Sequence, residues 1–174
     1  MASRSFGRRV TRREELEEAV ASYVSRAGKK LRKQGSVTGA VRVMAMTDLH
    51  KKHKPRCSLS CTVSLSVPTA DTGKLIKAAV AGLKKIYRPG YEYAKAVILL
   101  MDISPAANLQ PGLFDAGDGE RSKVLMETID VLNGRFGRGT IRFGQEGFKK
   151  SWRMRRNNMT AGYTTNWDDL PKVS

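Results

Sequence analysis

The chain has 174 residues, 40% of them apolar, which is enough to bury the core of one ordinary domain or of a domain with a smaller companion. Its 32 lysines and arginines against 16 aspartates and glutamates give a formal charge of +16 and favour a polyanionic partner, nucleic acid before any other. The absence of an apolar run of about 18 residues and of a signal-peptide hydrophobic region argues against a membrane span, and two cysteines form no disulfide framework, so a cytoplasmic protein is expected.

Charge is distributed unevenly along the chain and marks a boundary. Residues 1–104 hold 21 basic and 8 acidic residues, whereas residues 105–174 hold 11 and 8. The change coincides with residues 105–119, which are rich in Pro, Gly and acidic residues and poor in periodic apolar positions. We therefore predict a domain over 1–104, a linker over 105–119 and a carboxy-terminal segment over 120–174.

The first domain alternates between extended and helical patterns. The first helix has apolar residues at helical spacing, with Thr11 as its expected N-cap and Gly35 as its stop. The predicted elements are, in chain order, an extended segment 3–11, a helix 11–35, strands 36–49 and 58–69, a helix 71–87 and a strand 93–103. The order β-α-β-β-α-β predicts an α+β fold in which two helices cover one face of a four-stranded antiparallel sheet.

The strand over 58–69 alternates most strictly. Its apolar side chains point to one face, which is expected to join the core, and its hydroxyl side chains point to the other, which stays open. The hydroxyls, flanked by basic residues, could follow a phosphate backbone without reading bases. The side chains considered for this role are Arg4, Arg8, Arg42, Ser60, Thr62 and Lys95. A solvated sheet face explains the alternation equally well, and the excess of positive charge favours binding.

Metal binding and catalysis are disfavoured by where the candidate residues lie. Four potential zinc ligands occur within twelve residues, namely His50, His53, Cys57 and Cys61. Compact zinc sites use a Cys-x2–4-Cys knuckle, whereas here both thiols share the parity of the apolar strand face, which favours a basic hairpin loop followed by buried thiols. No Ser/His/Asp set or phosphate loop is suggested, and Asp48 and Asp102 are simpler as turn acids than as metal ligands.

The carboxy-terminal segment is predicted to be a small α+β unit. Helical spacing covers residues 120–137, and residues 140–144 resemble a short strand. Trp152, Tyr163 and Trp167 could stack on single-stranded bases, but covering the apolar face of a helix that is too short to be stable alone is the favoured interpretation.

Long ordered stretches resemble the carboxy-terminal part of the UmuC-type branch of Y-family translesion DNA polymerases. Residues 3–11 resemble the motif that joins the catalytic core to the little-finger domain. Further stretches follow in that family's order over 14–35, 68–105, 108–115, 125–147, 152–156 and 163–173. The resemblance implies a little-finger fold for residues 1–104, which agrees with the topology predicted from the pattern.

The resemblance implies that the open sheet face lies along the major groove of primer-template DNA. The matching positions are Arg4, Ser5, Gly7 and Arg8, where Gly7 would let the backbone approach a phosphate. Strand parity adds Arg42, Ser60, Thr62 and Lys95. Binding is expected to be salt-dependent and nearly independent of sequence.

A sliding-clamp motif is the most specific site that the resemblance implies. Gln110, Leu113 and Phe114 match the Gln-x-x-Leu-Phe pattern by which such polymerases hold the clamp. A linker would present two apolar anchors to a preformed pocket, while Asp115 and Asp118 keep it in water. From the pentapeptide alone, folding back onto the domain is favoured, and its position after a little finger reverses that preference.

The resemblance also implies what lies elsewhere. Palm, fingers and thumb, with the carboxylates that bind Mg²⁺, would precede residue 1, so no polymerase active site and no cofactor are expected in this chain. Met1 directly before the family motif suits an expressed piece, a gene fragment or a natural short product alike. Expected partners are primer-template DNA, the sliding clamp, and the UmuD′ dimer and RecA filament of bacterial SOS mutagenesis in a nucleoid-associated setting.

An unrelated basic RNA-binding protein of ferredoxin-like topology, of ribosomal type, is the alternative from another class. Sheets that read RNA usually display aromatic residues on their open face. The open face predicted for residues 58–69 carries Ser and Thr instead, which favours the polymerase resemblance.

Overall fold

The structure, a computed structural model of the chain, describes residues 1–48, 56–108 and 117–154. None of the helices in these ranges is long and apolar enough to cross a membrane. The elements are β1 (Ala2–Val10), α1 (Arg13–Lys33), β2 (Ser36–Thr47), β3 (Ser58–Thr69), α2 (Thr72–Ile86), β4 (Tyr93–Pro105), α3 (Glu120–Arg135) and two short 3-10 helices, Ala106–Asn108 and Gly144–Glu146.

The four strands form one antiparallel sheet in the order β1-β4-β2-β3, which confirms the predicted α+β architecture. The crossover through α1 leaves a gap between β1 and β2 that β4 fills, and the crossover through α2 leaves a gap between β3 and β4 that β2 fills. The central strands are therefore β4 and β2. In a ferredoxin-like sheet the first and third strands are central, so the order of strands separates this fold from that alternative.

Both helices bury the faces that their spacing predicted. In α1 and α2 the buried apolar side chains include Leu16, Val20, Tyr23, Ala27, Leu31, Leu75, Ala79, Leu83 and Ile86. A Cβ built on Gly82 of α2 would lie 3.1 Å from a methyl carbon of Val63 and 3.5 Å from one of Val43, so the absent side chain lets α2 lie close to the sheet.

The ends of α1 differ in how they are formed. The prediction that Thr11 is the N-cap of α1 is wrong. Arg12 occupies that position, in an extended conformation and without a side-chain capping bond. Glu14 and Glu15 in the first turn instead place negative charge near the helix amino terminus. The predicted stop at Gly35 is confirmed, because its φ of +62° lies in the left-handed region that favours glycine.

The prediction of a strand over residues 140–144 is wrong, whereas the predicted helix before it is confirmed as α3. The side chain of Asn133 takes the place of a strand partner. Its amide nitrogen donates to the Ile141 carbonyl at 2.8 Å, and its oxygen accepts from the Gly139 and Ile141 amides at 3.0 and 3.1 Å. Because these backbone groups are satisfied locally, the segment forms a turn and continues into a 3-10 helix.

Trp152 packs into the core of the first domain. Its side chain is 3% exposed, and its ring makes edge-to-face contacts with Phe6 at 6.1 Å and Tyr23 at 5.8 Å between ring centroids. A packing role was predicted for Trp152, but its partners belong to β1 and α1 rather than to α3. Tyr163 and Trp167 lie outside the described residues.

Candidate nucleic-acid interface

The strand register defines the sheet face opposite the helices, which we call the open face. Residues paired across neighbouring strands share a face, and Ala96, Ile98, Val43 and Ala45 belong to the core beneath the helices. The intervening positions therefore form the open face, which consists of Ser3, Ser5, Ala40, Arg42, Met44, Met46, Ser58, Ser60, Thr62, Ser64, Lys95, Val97, Leu99 and Met101.

Polar residues of the open face lie mainly on its edge strands and apolar residues on its central strands. One row across the sheet runs Ser3, Val97, Met44, Ser60, and the next has Leu99, Arg42, Thr62. The apolar strip, formed by Met44, Met46, Val97, Leu99 and Met101, was missed at the sequence level. Both central strands carry apolar residues on both of their faces, so the sequence pattern alone does not show which apolar positions are left uncovered by the helices.

Arg42 and Thr62 are directly opposed on β2 and β3, as strand parity predicted. The Nε atom of Arg42 donates to Thr62 Oγ1 at 2.8 Å, and both residues are exposed. This bond fixes the base of the guanidinium, and its Nη atoms make no hydrogen bond to the described residues. Such a group is ready to donate to a phosphate oxygen.

Lys95 and Ser5 form a second polar pair on the open face. They are opposed in the β1–β4 register, and Lys95 is half-buried beside Met46 of β2. Within the described ranges, no carboxylate oxygen lies within 4.0 Å of the Lys95 ammonium. Ser60 is exposed two positions from Thr62 on β3, so the structure brings together five of the eight predicted contact residues, namely Ser5, Arg42, Ser60, Thr62 and Lys95.

Arg4 and Arg8 do not lie on the open face, contrary to expectation. Arg4 is paired with Ala96, whose side chain belongs to the helix-covered core, so Arg4 points to the α1 side. It shares its parity with the buried Phe6, a signal that was present in the sequence. Arg8 forms an ion pair with Glu15 of α1 and donates to Ser151 Oγ at 3.0 Å.

Gly7 faces the protein's own backbone rather than open space. Its amide donates to the Trp152 carbonyl at 2.9 Å, and a Cβ added to it would lie 2.6 Å from the Arg153 carbonyl oxygen. The close approach predicted for this glycine therefore exists, but its partner in the structure is the carboxy-terminal segment. This segment covers part of the β1 edge, which would otherwise expose unpaired backbone groups.

The predicted clamp site and part of the disfavoured zinc set lie outside the described residues. This applies to the clamp motif, Gln110, Leu113 and Phe114, and to His50 and His53. Cys57 accepts a hydrogen bond from the Thr47 amide at 2.9 Å through its carbonyl, and Cys61 is half-buried on the helix side of β3. The described ranges contain no cluster of three His, Cys, Asp or Glu side chains that could hold a metal ion.

Asp118 was expected to keep the linker in water, but in the structure its carboxylate is hydrogen-bonded to the first domain. Its carboxylate accepts from Thr69 Oγ1 at 2.6 and 2.7 Å, from the Ala70 amide at 3.2 Å and from Lys74 Nζ at 2.9 Å. Burial raises the pKa of this carboxyl, and the bonds from Thr69, Lys74 and Ala70 more than offset that, so its pKa is lowered.

Comparisons with known proteins match the whole chain. The model of the impB/mucB/samB family C-terminal domain matches residues 1–113, and a domain of unknown function (DUF4113) matches residues 123–173. Protein UmuC of Salmonella typhimurium strain LT2 is 38% identical over 99% of this chain and 41% of its own length. Protein ImpB of Salmonella typhimurium is 36% identical over 98% and 40%, and Protein MucB of Escherichia coli 34% over 98% and 40%. The chain thus spans about two fifths of these relatives.

Proposed function

This chain belongs to the impB/mucB/samB family and matches the carboxy-terminal region of UmuC-type Y-family translesion polymerase subunits, and from this premise we propose that it holds primer-template DNA on its open face. The observation that carries the proposal is the arrangement of Arg42, Thr62 and Lys95 among exposed hydroxyls on the sheet face that none of the described helices covers. DNA binding would keep the polymerase on a damaged template during SOS mutagenesis.

The width of the sheet suits a DNA groove. Neighbouring strands lie about 4.8 Å apart, so the edge strands β1 and β3 are separated by about 14 Å. The major groove of B-DNA is about 12 Å wide. Hydroxyls of β1 and β3 can therefore each follow one phosphate ridge while the central strands lie over the groove.

The apolar strip favours binding that tolerates different base sequences and lesions. Sequence is read by donors and acceptors aimed at base edges, whereas the central strands of the open face carry mainly methionine and aliphatic side chains. Their two cations, Arg42 and Lys95, lie next to the edge-strand hydroxyls of Thr62 and Ser5. Met44, Met46 and Met101 are flexible and polarizable, so they can adapt to an irregular groove surface. Affinity would then rest on phosphate contacts, which carry no sequence information.

RNA binding by a ferredoxin-like protein is less well supported. The open face carries no aromatic residue on the four described strands, so it lacks the stacking platform of sheet-based RNA readers. The order of strands also differs, because β4 and β2 are central here. Neither observation depends on the family match.

Partner binding is the second part of the proposal and is supported by the sequence. Gln110, Leu113 and Phe114 would tether the chain to the sliding clamp, and the carboxy-terminal segment would help to bind the UmuD′ dimer or the RecA filament. A cytoplasmic, nucleoid-associated location follows from the same assignment. Synthesis of DNA would require the palm, fingers and thumb of the polymerase, with Mg²⁺ bound to their carboxylates.

A titration with fluorescent nucleic acids tests the DNA-binding proposal. The purified chain is titrated against labelled primer-template DNA and single-stranded RNA at several salt concentrations. The Arg42→Gln, Lys95→Gln variant is expected to bind DNA about tenfold more weakly, because it loses two phosphate contacts. Its affinity should also depend less steeply on salt concentration. The control is Lys77→Gln, Lys84→Gln, which removes two exposed charges from α2. Equal or stronger binding to RNA, or equal losses in both variants, would overturn the proposal.

A further inference from the structure

Four arginines that the open face does not use come together where the carboxy-terminal segment meets α1. Arg4 lies on the α1 side of β1, two residues before Phe6, and Arg26 of α1 lies three residues after Tyr23. Arg153 follows Trp152, whose ring contacts both of these aromatic residues. Arg138 acts on Arg26 through its charge, as Arg4 and Arg153 do. Arg138 and Arg153 belong to the region matched by the second family model, and Arg4 and Arg26 to the region matched by the first. We call this set, Arg4, Arg26, Arg138 and Arg153, the arginine cluster, and all four residues are exposed.

Docking of the carboxy-terminal segment creates this cluster. Trp152 is buried against Phe6 and Tyr23, which places Arg153 next to the β1 edge. Lys150 donates to Ser22 Oγ at 3.1 Å, one turn of α1 before Arg26. The segment therefore brings cations onto a helix face that already carries one, although like charges repel.

The described residues do not neutralise the cluster. None of its guanidiniums has a carboxylate oxygen within 4.0 Å in the described ranges, whereas the nearby Lys150 is paired with Glu146 at 3.5 Å. Partial desolvation, followed by the like charges of Arg4 and Arg153, lowers the pKa of Arg26. Concentrated positive charge of this kind is relieved by an anion.

A buried hydroxyl beside the cluster also lacks a partner. Tyr23 is 2% exposed, and its hydroxyl makes no hydrogen bond to the described residues. Burial raises the pKa of Tyr23 to about 12, and the charges of Arg26 and Arg4 act in the opposite direction. A buried polar group without a partner is costly.

We propose that the arginine cluster is a second DNA-binding site. It binds the phosphate backbone where a DNA strand passes from the open face around the β1 edge of the sheet. Arginine forks match phosphate oxygens in geometry and charge. Ser3 and Ser5 point to the open face while Arg4, between them, points to the α1 side, so one edge strand links both surfaces. The proposal rests on the proposed function in that both surfaces hold the same DNA.

Salt-dependent binding tests the cluster separately from the open face. The probe is a fluorescent primer-template with a single-stranded template overhang, titrated with the full chain. The quadruple variant Arg4→Gln, Arg26→Gln, Arg138→Gln, Arg153→Gln is compared with Lys30→Gln, Lys77→Gln, Lys84→Gln, Lys85→Gln, which removes equal charge from exposed positions of α1 and α2. The first is expected to weaken binding by about tenfold or more and to reduce the slope of log K against log salt by about two to three.

Four outcomes distinguish the hypotheses. A loss of DNA affinity in the cluster variant that exceeds the loss in the lysine control supports the second site. Equal changes in both variants overturn it, since binding would then depend on total charge alone. If the Arg42→Gln, Lys95→Gln variant loses affinity and the cluster variant does not, DNA binding by the open face is supported and the second site is refuted. If only the cluster variant loses affinity, DNA binding by the cluster is supported and DNA binding by the open face is refuted. Far-UV circular dichroism confirms that each variant is folded.

Discussion

The backbone amide of Gly7 donates to the carbonyl oxygen of Trp152 at 2.9 Å, which joins the β1 edge to a segment 145 residues later in the chain. A Cβ at Gly7 would lie 2.6 Å from the Arg153 carbonyl oxygen and 2.8 Å from the Met154 Cα. Both are backbone atoms, so the segment itself must move. We expect Gly7→Ala to lower the free energy of unfolding by about 1–3 kcal/mol, measured by urea denaturation.

A second glycine provides the control for this experiment. Gly134 lies in α3, and a Cβ added there meets no atom within 4 Å. Gly134→Ala should therefore be neutral or stabilise by up to about 1 kcal/mol, because alanine favours the helix. If Gly7→Ala were as stable as the unmodified chain, the docking of Trp152 against β1 would be refuted.

Local pattern was sufficient for the elements of the first domain. Strict alternation predicted β3 over 58–69, and its observed bounds are Ser58–Thr69. The spacing of apolar residues likewise predicted the buried faces of α1 and α2. These patterns succeed because each element buries one side against a common core.

Contacts between distant parts of the chain could not be predicted in the same way. The partner of Gly7 and the arginine cluster depend on where residues 138–154 dock, and no periodic pattern encodes that position. The face of Arg4 is a different case, since its parity with Phe6 was visible and had been outweighed by the family motif. The apolar strip became recognisable only when the strand order placed β4 and β2 at the centre.

Arg32 connects three parts of the fold, and we expect lysine to replace it poorly. Its Nε and Nη2 atoms donate to the Asp130 carboxylate at 2.7 and 3.1 Å, and Nη1 donates to the Ala70 carbonyl at 2.7 Å and Thr72 Oγ1 at 2.8 Å. A lysine keeps the charge but cannot make this fork. Arg32→Lys should cost about 1.5–3 kcal/mol in the free energy of unfolding, from urea denaturation.

The matched control is Arg13→Lys, at an exposed position of α1. Arg13 pairs with Glu17 at 3.2 Å, and its side chain is 48% exposed, so water screens the interaction. The expected change is about 0.5 kcal/mol or less. Similar effects at both positions would contradict the connecting role of Arg32.

Asp118 should make the free energy of unfolding depend on pH in the acidic range. Its folded pKa lies below the ordinary 3.8, so the carboxylate stabilises the fold above that value, and this contribution is lost as pH falls through the folded pKa. The difference in unfolding free energy between the unmodified chain and Asp118→Asn is therefore expected to shrink as the pH falls from about 6 toward about 2.5. Thermal unfolding at a series of pH values measures it. Parallel stability curves would show that Asp118 is not ionised in a hydrogen-bonded site.

The clamp proposal predicts that two functions of the chain can be separated. Leu113→Ala, Phe114→Ala removes both apolar anchors and no charge, so clamp binding should fall by at least about a hundredfold, as expected when anchors of about 2 kcal/mol or more are lost. Affinity for primer-template DNA should stay unchanged, because phosphate contacts dominate it. Surface plasmon resonance on immobilised clamp and anisotropy with DNA measure the two. Val124→Ala, Leu125→Ala is the control, since these side chains of α3 are 52% and 54% exposed and equally apolar. Loss of clamp binding in the control alone would place the contact on α3 and refute the motif.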